Sequence, residues 1–363
     1  MSFFDKVLKW FEKRVHLNEL LSFITTFGIF YYPFPLDKSV KESLKEVTNR
    51  PVPYYSRWPY FLGILIFIQF LFQIFTGILL LLYYIPSMEK GYQSTIFIIR
   101  DVPIGYYILG IHRWGGILII IFVMLRLLRF IYHKIYHPPR ELFWIFAFLI
   151  FLLLSFQYIT GTLLPMSDGN YWKVERILEI IKVIPFVDRI FSFLYGNFMI
   201  DKYMHLRFYI SHVFFTPLFL FCIFYLHFLS VRKLGFFTSP KKMEPIYPGY
   251  FYDIFIIFLL LTGILFSLSV LFPAKYIQVF DPFKTPPKIA LPFFILPFHF
   301  LKVKLPDTLA GVIMLILVLF LFFLPWIDRS KPIPLYKRPL VFLVSIMILL
   351  FLIITGIFGF YLK

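Results

Sequence analysis

The sequence predicts an all-α polytopic membrane protein, a four-helix bundle followed by three further transmembrane helices. Three observations carry this. The 363 residues are 60% hydrophobic and only 15% charged, with a mean hydropathy of +0.82; a soluble chain carries roughly 25% charged residues. Aromatic residues make up 22% of the chain, with 51 Phe alone, a composition suited to a shell facing lipid tails. Seven apolar stretches are each long enough to cross roughly 30 Å of hydrocarbon.

In order, the spans run from Trp58 to Tyr84, Val102 to Phe130, Phe143 to Leu164, Phe208 to Val231, Tyr252 to Leu271, Thr308 to Ile327 and Leu340 to Tyr361. Ahead of them, Lys6 to Arg14 reads as an amphipathic surface helix. Met1 to Arg14 lacks the apolar core of a secretory signal, so no cleaved leader is expected. Trp172 to Leu194 mixes apolar and charged residues and suggests short helices at the outer interface. Asp281-Pro282-Phe283-Lys284-Thr285-Pro286-Pro287 cannot continue a helix and opens a long outer loop to Leu305. The expected organisation is a cytoplasmic amphipathic segment (1–57), a four-helix domain (58–235) and a C-terminal three-helix domain (236–363). No inverted repeat of the transporter kind is visible.

The formal charge of +17 follows the membrane rather than a nucleic acid. Of the 36 Lys and Arg, 21 fall in segments expected on the same side of the membrane as the N-terminus, in Met1 to Arg57, Arg126 to Arg140, Arg232 to Lys242 and Arg329 to Arg338. By the positive-inside rule the N-terminus is cytoplasmic and the C-terminus outside, in the cytoplasmic (inner) membrane. The basic surface suits the bilayer's anionic headgroups, and no nucleic-acid partner is expected. The single cysteine, Cys222, rules out an internal disulfide, a Cys-rich zinc site and a four-Cys iron–sulfur cluster; it is expected to be a small buried side chain.

Of eight histidines, only His112, His212 and His227 lie inside predicted spans. Ionisable groups at membrane depth are functional candidates, although a lone one is often a helix–helix hydrogen-bonding group. Here the second and fourth spans run in the same direction, and His112 and His212 both sit near their outer starts. Facing each other across the bundle, two neutral imidazoles form the axial pair a haem iron takes. His227 lies 15 residues beyond His212, roughly 22 Å deeper at ~1.5 Å per residue, the step to a second haem. Its partner position on the second span holds Arg126. Gly63 and Gly77 on the first span, and Ala147 and Gly161 on the third, are each 14 residues apart. They give clearance at two stacked levels, Gly77 and Gly161 at the outer one, although small residues also serve ordinary helix packing.

These residues resemble the cytochrome b subunit of quinol-oxidising Rieske–cytochrome b complexes, over nearly the whole chain. The resemblance is carried by Gln73-Ile74-Phe75-Thr76-Gly77, Gln93-Ser94-Thr95, Asp101-Val102-Pro103, His112-Arg113-Trp114-Gly115, Pro139-Arg140-Glu141-Leu142-Phe143-Trp144 and Thr160-Gly161-Thr162-Leu163-Leu164-Pro165. Leu206-Arg207-Phe208-Tyr209 before His212, the step to His227, Arg232-Lys233 and Thr285-Pro286-Pro287 complete it. Four plus three helices resembles the chloroplast-type arrangement with its two polypeptides fused. The covalently held extra haem of that type is not expected, because no cysteine stands at the inner start of the first span.

The resemblance implies a respiratory b-type cytochrome subunit: haem b at His112 and His212, with a second haem at His227 left open. It also implies a membrane quinone as substrate, a Rieske-type iron–sulfur protein or another outer electron carrier as partner, and a homodimer. Three departures bear on the activity. Arg126 stands at the fourth haem-ligand position, Leu109 where an Arg is usual, and Pro292 (within Leu291-Pro292-Phe293-Phe294) where the family's proton-accepting carboxylate stands. Conventional quinol bifurcation is therefore not expected. Asp281 and Asp168, both on outer segments, read first as solvated loop carboxylates and only second as candidate substitute bases. Arg129 is a candidate partner for an inner-haem propionate or a helix-end anchor. A redox-inactive or single-haem structural subunit is the alternative, and a transporter the more distant one.

Overall fold

In hydrocarbon every backbone N–H and C=O must find its partner within the protein, so apolar stretches of this length fold as helices. The computed structural model describes residues 3–15, 49, 51–53, 61–234, 243–273, 276, 278–287, 289–330 and 335–361. The helices are α1 (Phe3–Glu12), α2 (Phe61–Leu81), α3 (Gly91–Arg100), α4 (Gly105–His133), α5 (Glu141–Leu163), α6 (Asp168–Lys182) and α7 (Val187–Tyr195). Next comes α8, built from Lys202–Ile210, a π-turn at Ser211–Phe215, and Thr216–Leu234. Then follow α9 (Phe251–Leu271), α10 (Leu296–Lys304), α11 (Asp307–Phe322), α12 (Leu324–Ile327) and α13 (Pro339–Tyr361). One short antiparallel pairing joins Pro51–Pro53 to Met243–Pro245.

Helices occupy all seven predicted spans, as α2, α4, α5, α8, α9, α11 with α12, and α13. Among the described residues, five segments are long and apolar enough to cross a membrane: those of α2, α4, α5, α8 and α9. This is a multi-pass membrane protein. α2, α4, α5 and α8 form the bundle, with α4 packed on α2 and α5, and α5 on α8; α9 lies against α4 and α13 against α10. Leu142 to Phe148 of α5 are all buried, because α5 is enclosed by its bundle partners, by α11 and by α1. By contrast α9 and α13 expose rows of Phe, Leu and Ile, the side chains lipid covers.

The amphipathic N-terminal helix is present as α1. It is tied to the start of α5 by Arg14, whose Nε and Nη2 donate to the two carboxylate oxygens of Glu141 at 3.0 and 2.7 Å. The Arg14 guanidinium also lies 4.1 Å from the centre of the Trp10 ring. α6 and α7 realise the short helices expected between the third and fourth spans.

Other expectations are corrected. α3, and α10 within the predicted outer loop, are additional helices; each is only two to three turns long. α8 begins at Lys202, six residues before the expected start, which brings His205 into the same helix. Cys222 is exposed, because the inward face of α8 there is supplied by Leu220 and Phe224, and Cys222 turns away towards lipid. His16, the start of the first predicted span (58–60), most of the N-terminal segment and the basic loop over 235–242 lie outside the described residues.

The bundle and the later helices are clamped by a buried polar cluster. Asp328, just after α12, accepts from Lys134 Nζ at 3.2 Å, from Tyr136 Oη at 2.7 Å and from Arg338 Nη1 at 2.7 Å. Arg338 Nη2 also donates to Ile131 O at 2.6 Å, a carbonyl of the last turn of α4 that also accepts from Lys134 N at 3.3 Å. Burial alone raises the Asp328 pKa, but hydrogen bonds from Ser330, Tyr136 and Lys134 hold it below the ordinary carboxylate value. Its contribution to stability is thus complete above about pH 4 and is lost as pH falls through the depressed folded-state value. Asp328→Ala would leave Lys134 and Arg338 without their counter-charge. Breaking a buried pair costs roughly 3–5 kcal/mol, so thermal unfolding of the detergent-solubilised protein at neutral pH should show a loss of that order. A loss below ~1 kcal/mol would contradict the clamp.

Candidate functional site

Two helices of the bundle carry the same local signal, Gln-x-x-Thr-Gly: Gln73 to Gly77 on α2 and Gln157 to Gly161 on α5. Each places a glycine against an imidazole from a neighbouring helix. A Cβ at Gly77 would lie 3.3 Å from His112 Cε1, and one at Gly161 would collide with His212. The threonines occupy the same turns. Thr76 Oγ1 donates back to Phe72 O (2.9 Å), leaving its lone pair for His112 Nδ1 at 2.9 Å. His212 Nδ1 donates to Gln157 O at 3.0 Å, with Thr160 Oγ1 at 3.3 Å. With the proton on Nδ1 in both rings, each Nε2 keeps its lone pair.

His212 is aimed by the π-turn at Ser211–Phe215. An i→i+5 turn rotates the helix register locally and is a recurrent feature of functional sites. The freed backbone is satisfied by Gln157, whose Nε2 donates to His212 O at 2.6 Å. The two imidazole centres stand 6.1 Å apart with planes at 74°. Two imidazoles sharing one metal at bonds of roughly 2 Å have ring centres about 6 Å apart. The spacing, the anchored Nδ1 atoms and the two glycine notches fit an axial haem pair.

Both rings line a cavity of about 830 Å³, also walled by Gln73, Tyr158, Lys173 and Tyr276. This lies in the upper part of the roughly 300–1,000 Å³ range of small-molecule sites. Among the described residues lining it there are two cations, Arg113 and Lys173, and no carboxylate. Burial and the charge of Arg113 pull the Lys173 pKa down to about 8. Pro292 is half-buried beside the cavity's edge residues Ile289 and Ala290, and Phe294 packs edge-on against Tyr158 with ring centres 5.6 Å apart. Asp281 accepts from Phe283 N at 2.9 Å within its loop, and Asp168, the first residue of α6, accepts from Gln278 Nε2 at 3.4 Å. Neither lines the cavity.

The chain matches the family described as cytochrome b/b6/petB over residues 47–235, and the C-terminal cytochrome b/b6/petD family over 279–362. The chain belongs to the cytochrome b family. It is 31% identical to the cytochrome b of Cyanidium caldarium over 338 residues, 88% of this chain and 87% of that one. It is 30% identical to the cytochrome b of Rhodospirillum rubrum over 346 residues, 90% of this chain and 78% of that one. A solved structure, "Hyperthermophilic respiratory Complex III", matches with a TM-score of 0.75 and 25% identity, covering 88% of each chain. This cytochrome b is thus a haem-family membrane subunit of the complex III type.

The second level of this cytochrome b is arranged differently. Arg126 Nη2 donates to His227 Nε2 at 2.5 Å, and a Cβ at Gly63 would collide with Arg126 Nη1. Arg129 stands one turn on from Arg126 and adds its charge to this level. Ala147 is buried in α5. His205, which the sequence reading set outside the spans, is buried and meets Tyr84 Oη at 3.2 Å. Sequence reasoning missed the anchoring roles of Gln157 and Thr160; the repeated Gln-x-x-Thr-Gly was the signal available. Gly161→Val should push a branched side chain into His212 and remove the low-spin b-type absorption of the purified protein. Gly263→Val, where nothing lies near the added atom, should leave it intact. Equal spectra in the two variants would contradict the notch.

Proposed function

We propose that this chain is the electron-transferring cytochrome of a quinol-oxidising membrane complex, with haem b held between His112 and His212. The single observation behind this reading is the pair of imidazoles 6.1 Å apart, each anchored through Nδ1. When bound, haem supplies one-electron oxidation and reduction within the membrane. The protein's residues hold and tune it: His112 and His212 are the ligands, Thr76 and Gln157 fix their orientation, and Gly77 and Gly161 give clearance. Such outer hydrogen bonds set ligand basicity and ring angle. Arg113 and Lys173 offer positive charge to an anionic group at the cavity mouth.

A membrane quinol is the proposed substrate, entering the cavity beside Tyr158 and Tyr276. The acceptor is a Rieske-type iron–sulfur protein or another carrier, and the working unit a homodimer. The proposed setting is the cytoplasmic membrane, N-terminus cytoplasmic and C-terminus outside. The reading divides the chain at 58–235 for haem and 236–363 for the three helices that complete the quinol side.

Quinol oxidation releases two protons, and an acceptor must stand within hydrogen-bond reach. Pro292 has no such group, and the described cavity wall holds no carboxylate. Oxidation with the two electrons sent along separate routes is therefore not the proposed activity. The alternative, a structural subunit without redox activity, draws on the same substitutions.

Reduced-minus-oxidised spectra of the wild-type protein, His112→Ala and His212→Ala test the reading. A low-spin b-type spectrum in the wild type, lost in each variant, is expected; its absence from the wild type would favour the structural subunit. Quinol-driven reduction with the outer acceptor present tests the second part. Strict one-to-one reduction of acceptor and b haem would overturn it.

A further inference from the structure

We infer that this chain holds one haem and not two, because Arg126 and His227 close the second level of the bundle against a macrocycle. The inference rests on the cytochrome reading above. It asks how far the second level departs from the first, and three independent features separate the two.

The first is the ligand atoms. A haem iron takes a lone pair from each side. Here the Nε2 lone pair of His227 accepts from Arg126 Nη2 at 2.5 Å, and a guanidinium stays protonated and offers no lone pair in return. The second is the space. At the first level Gly77 and Gly161 abut the imidazoles, and the space between the rings opens into the cavity. At the second level the Gly63 notch is filled by Arg126 Nη1. The Arg126 guanidinium carbon also lies 5.2 Å from the centre of the Phe130 ring. Phe143 and Phe146 pack edge-on against the His227 ring, centres 5.6 and 6.3 Å away.

The third is the support of the ring. Metal-ligating histidines donate their other ring N–H to an acceptor that fixes tautomer and orientation. His112 and His212 both do so. His227 Nδ1 has no hydrogen-bond partner among the described residues, so His227 lacks the anchor that both first-level histidines have. Its role is the reverse: a neutral imidazole accepting a hydrogen bond from a buried cation, which, together with the Phe130 face, takes the place of the water Arg126 gives up.

The functional consequence is directional. Electrons delivered to the His112–His212 level find no second haem at the other end of the bundle. They leave through a carrier on the side of the membrane where they entered, and this chain moves no electron across the bilayer.

Haem counting by pyridine haemochrome on the purified protein, with a restored ligand, tests this. The wild type should contain one haem per chain. Arg126→His should raise the count to two and add a second wave to the redox titration, and adding His227→Phe to that variant should return the count to one. Two haems in the wild type would overturn the inference and leave the function reading standing; none would overturn the function reading. A folded Arg126→His protein that keeps the first-level spectrum but gains no haem would overturn Arg126 as the closing group. Should Arg126→His fail to accumulate, His227→Phe alone decides: an unchanged count of one supports the inference, and a lower count overturns it.

Discussion

The structure depends on two uncharged imidazoles brought together at membrane depth, their centres 6.1 Å apart. For a buried imidazole in hydrocarbon, an unsatisfied N–H or a charge on the ring is costly. Both costs are avoided at His112 and His212 by partners on α2 and α5 that approach closely enough only because glycine follows threonine there. The constraint propagates outwards. α4 must lie against α2, α8 must lie against α5, and α8 must break its own register in a π-turn to bring His212 to the level of His112. The amide of Gln157 then satisfies the carbonyl that the turn releases. Ion pairs lie at the edges of the arrangement, in the Asp328 cluster and the Arg14–Glu141 pair, while Arg126 is a cation held within it.

Much of the architecture was legible in the sequence because a bilayer imposes one rule on every span. Length and apolarity located seven helices, and the amphipathic pattern of Lys6 to Arg14 located α1. The His112–His212 pairing was legible from direction and depth, and the 14-residue spacing of small residues pointed to the clearances. What escaped was local or long-range in origin. The π-turn shifts the helical phase by one residue, but the stretch that follows, Pro217 to Leu226, is apolar all round and offers no polar stripe in which the shift would show. α3 and α10 are short and do not cross the bilayer, so neither the length rule nor hydropathy marks them. The Asp328 cluster joins residues almost two hundred positions apart that look like ordinary loop charges. Cys222 was expected to be buried because its run is apolar, but an apolar run in a membrane has a lipid face as well as a core face.

Arg126 illustrates how a single position changes meaning with its surroundings. In sequence it marks an absent ligand. In the fold it is a side chain with its own partners: the His227 imidazole, the Gly63 notch and the Phe130 ring. The two levels of the bundle thus share helices, spacing and small residues yet differ in chemistry. One is arranged for a metal, the other for a buried cation.

The central claim is that the first level alone presents a pair of imidazole ligands, with ring planes near perpendicular at 74°. Electron paramagnetic resonance of the oxidised, purified protein tests it most directly. Two neutral imidazoles on one ferric haem give a low-spin signal, and near-perpendicular planes make that signal strongly anisotropic. One such signal, integrating to a single spin per chain, is the predicted result. Two low-spin species, or a high-spin ferric signal from a haem with one histidine, would contradict it.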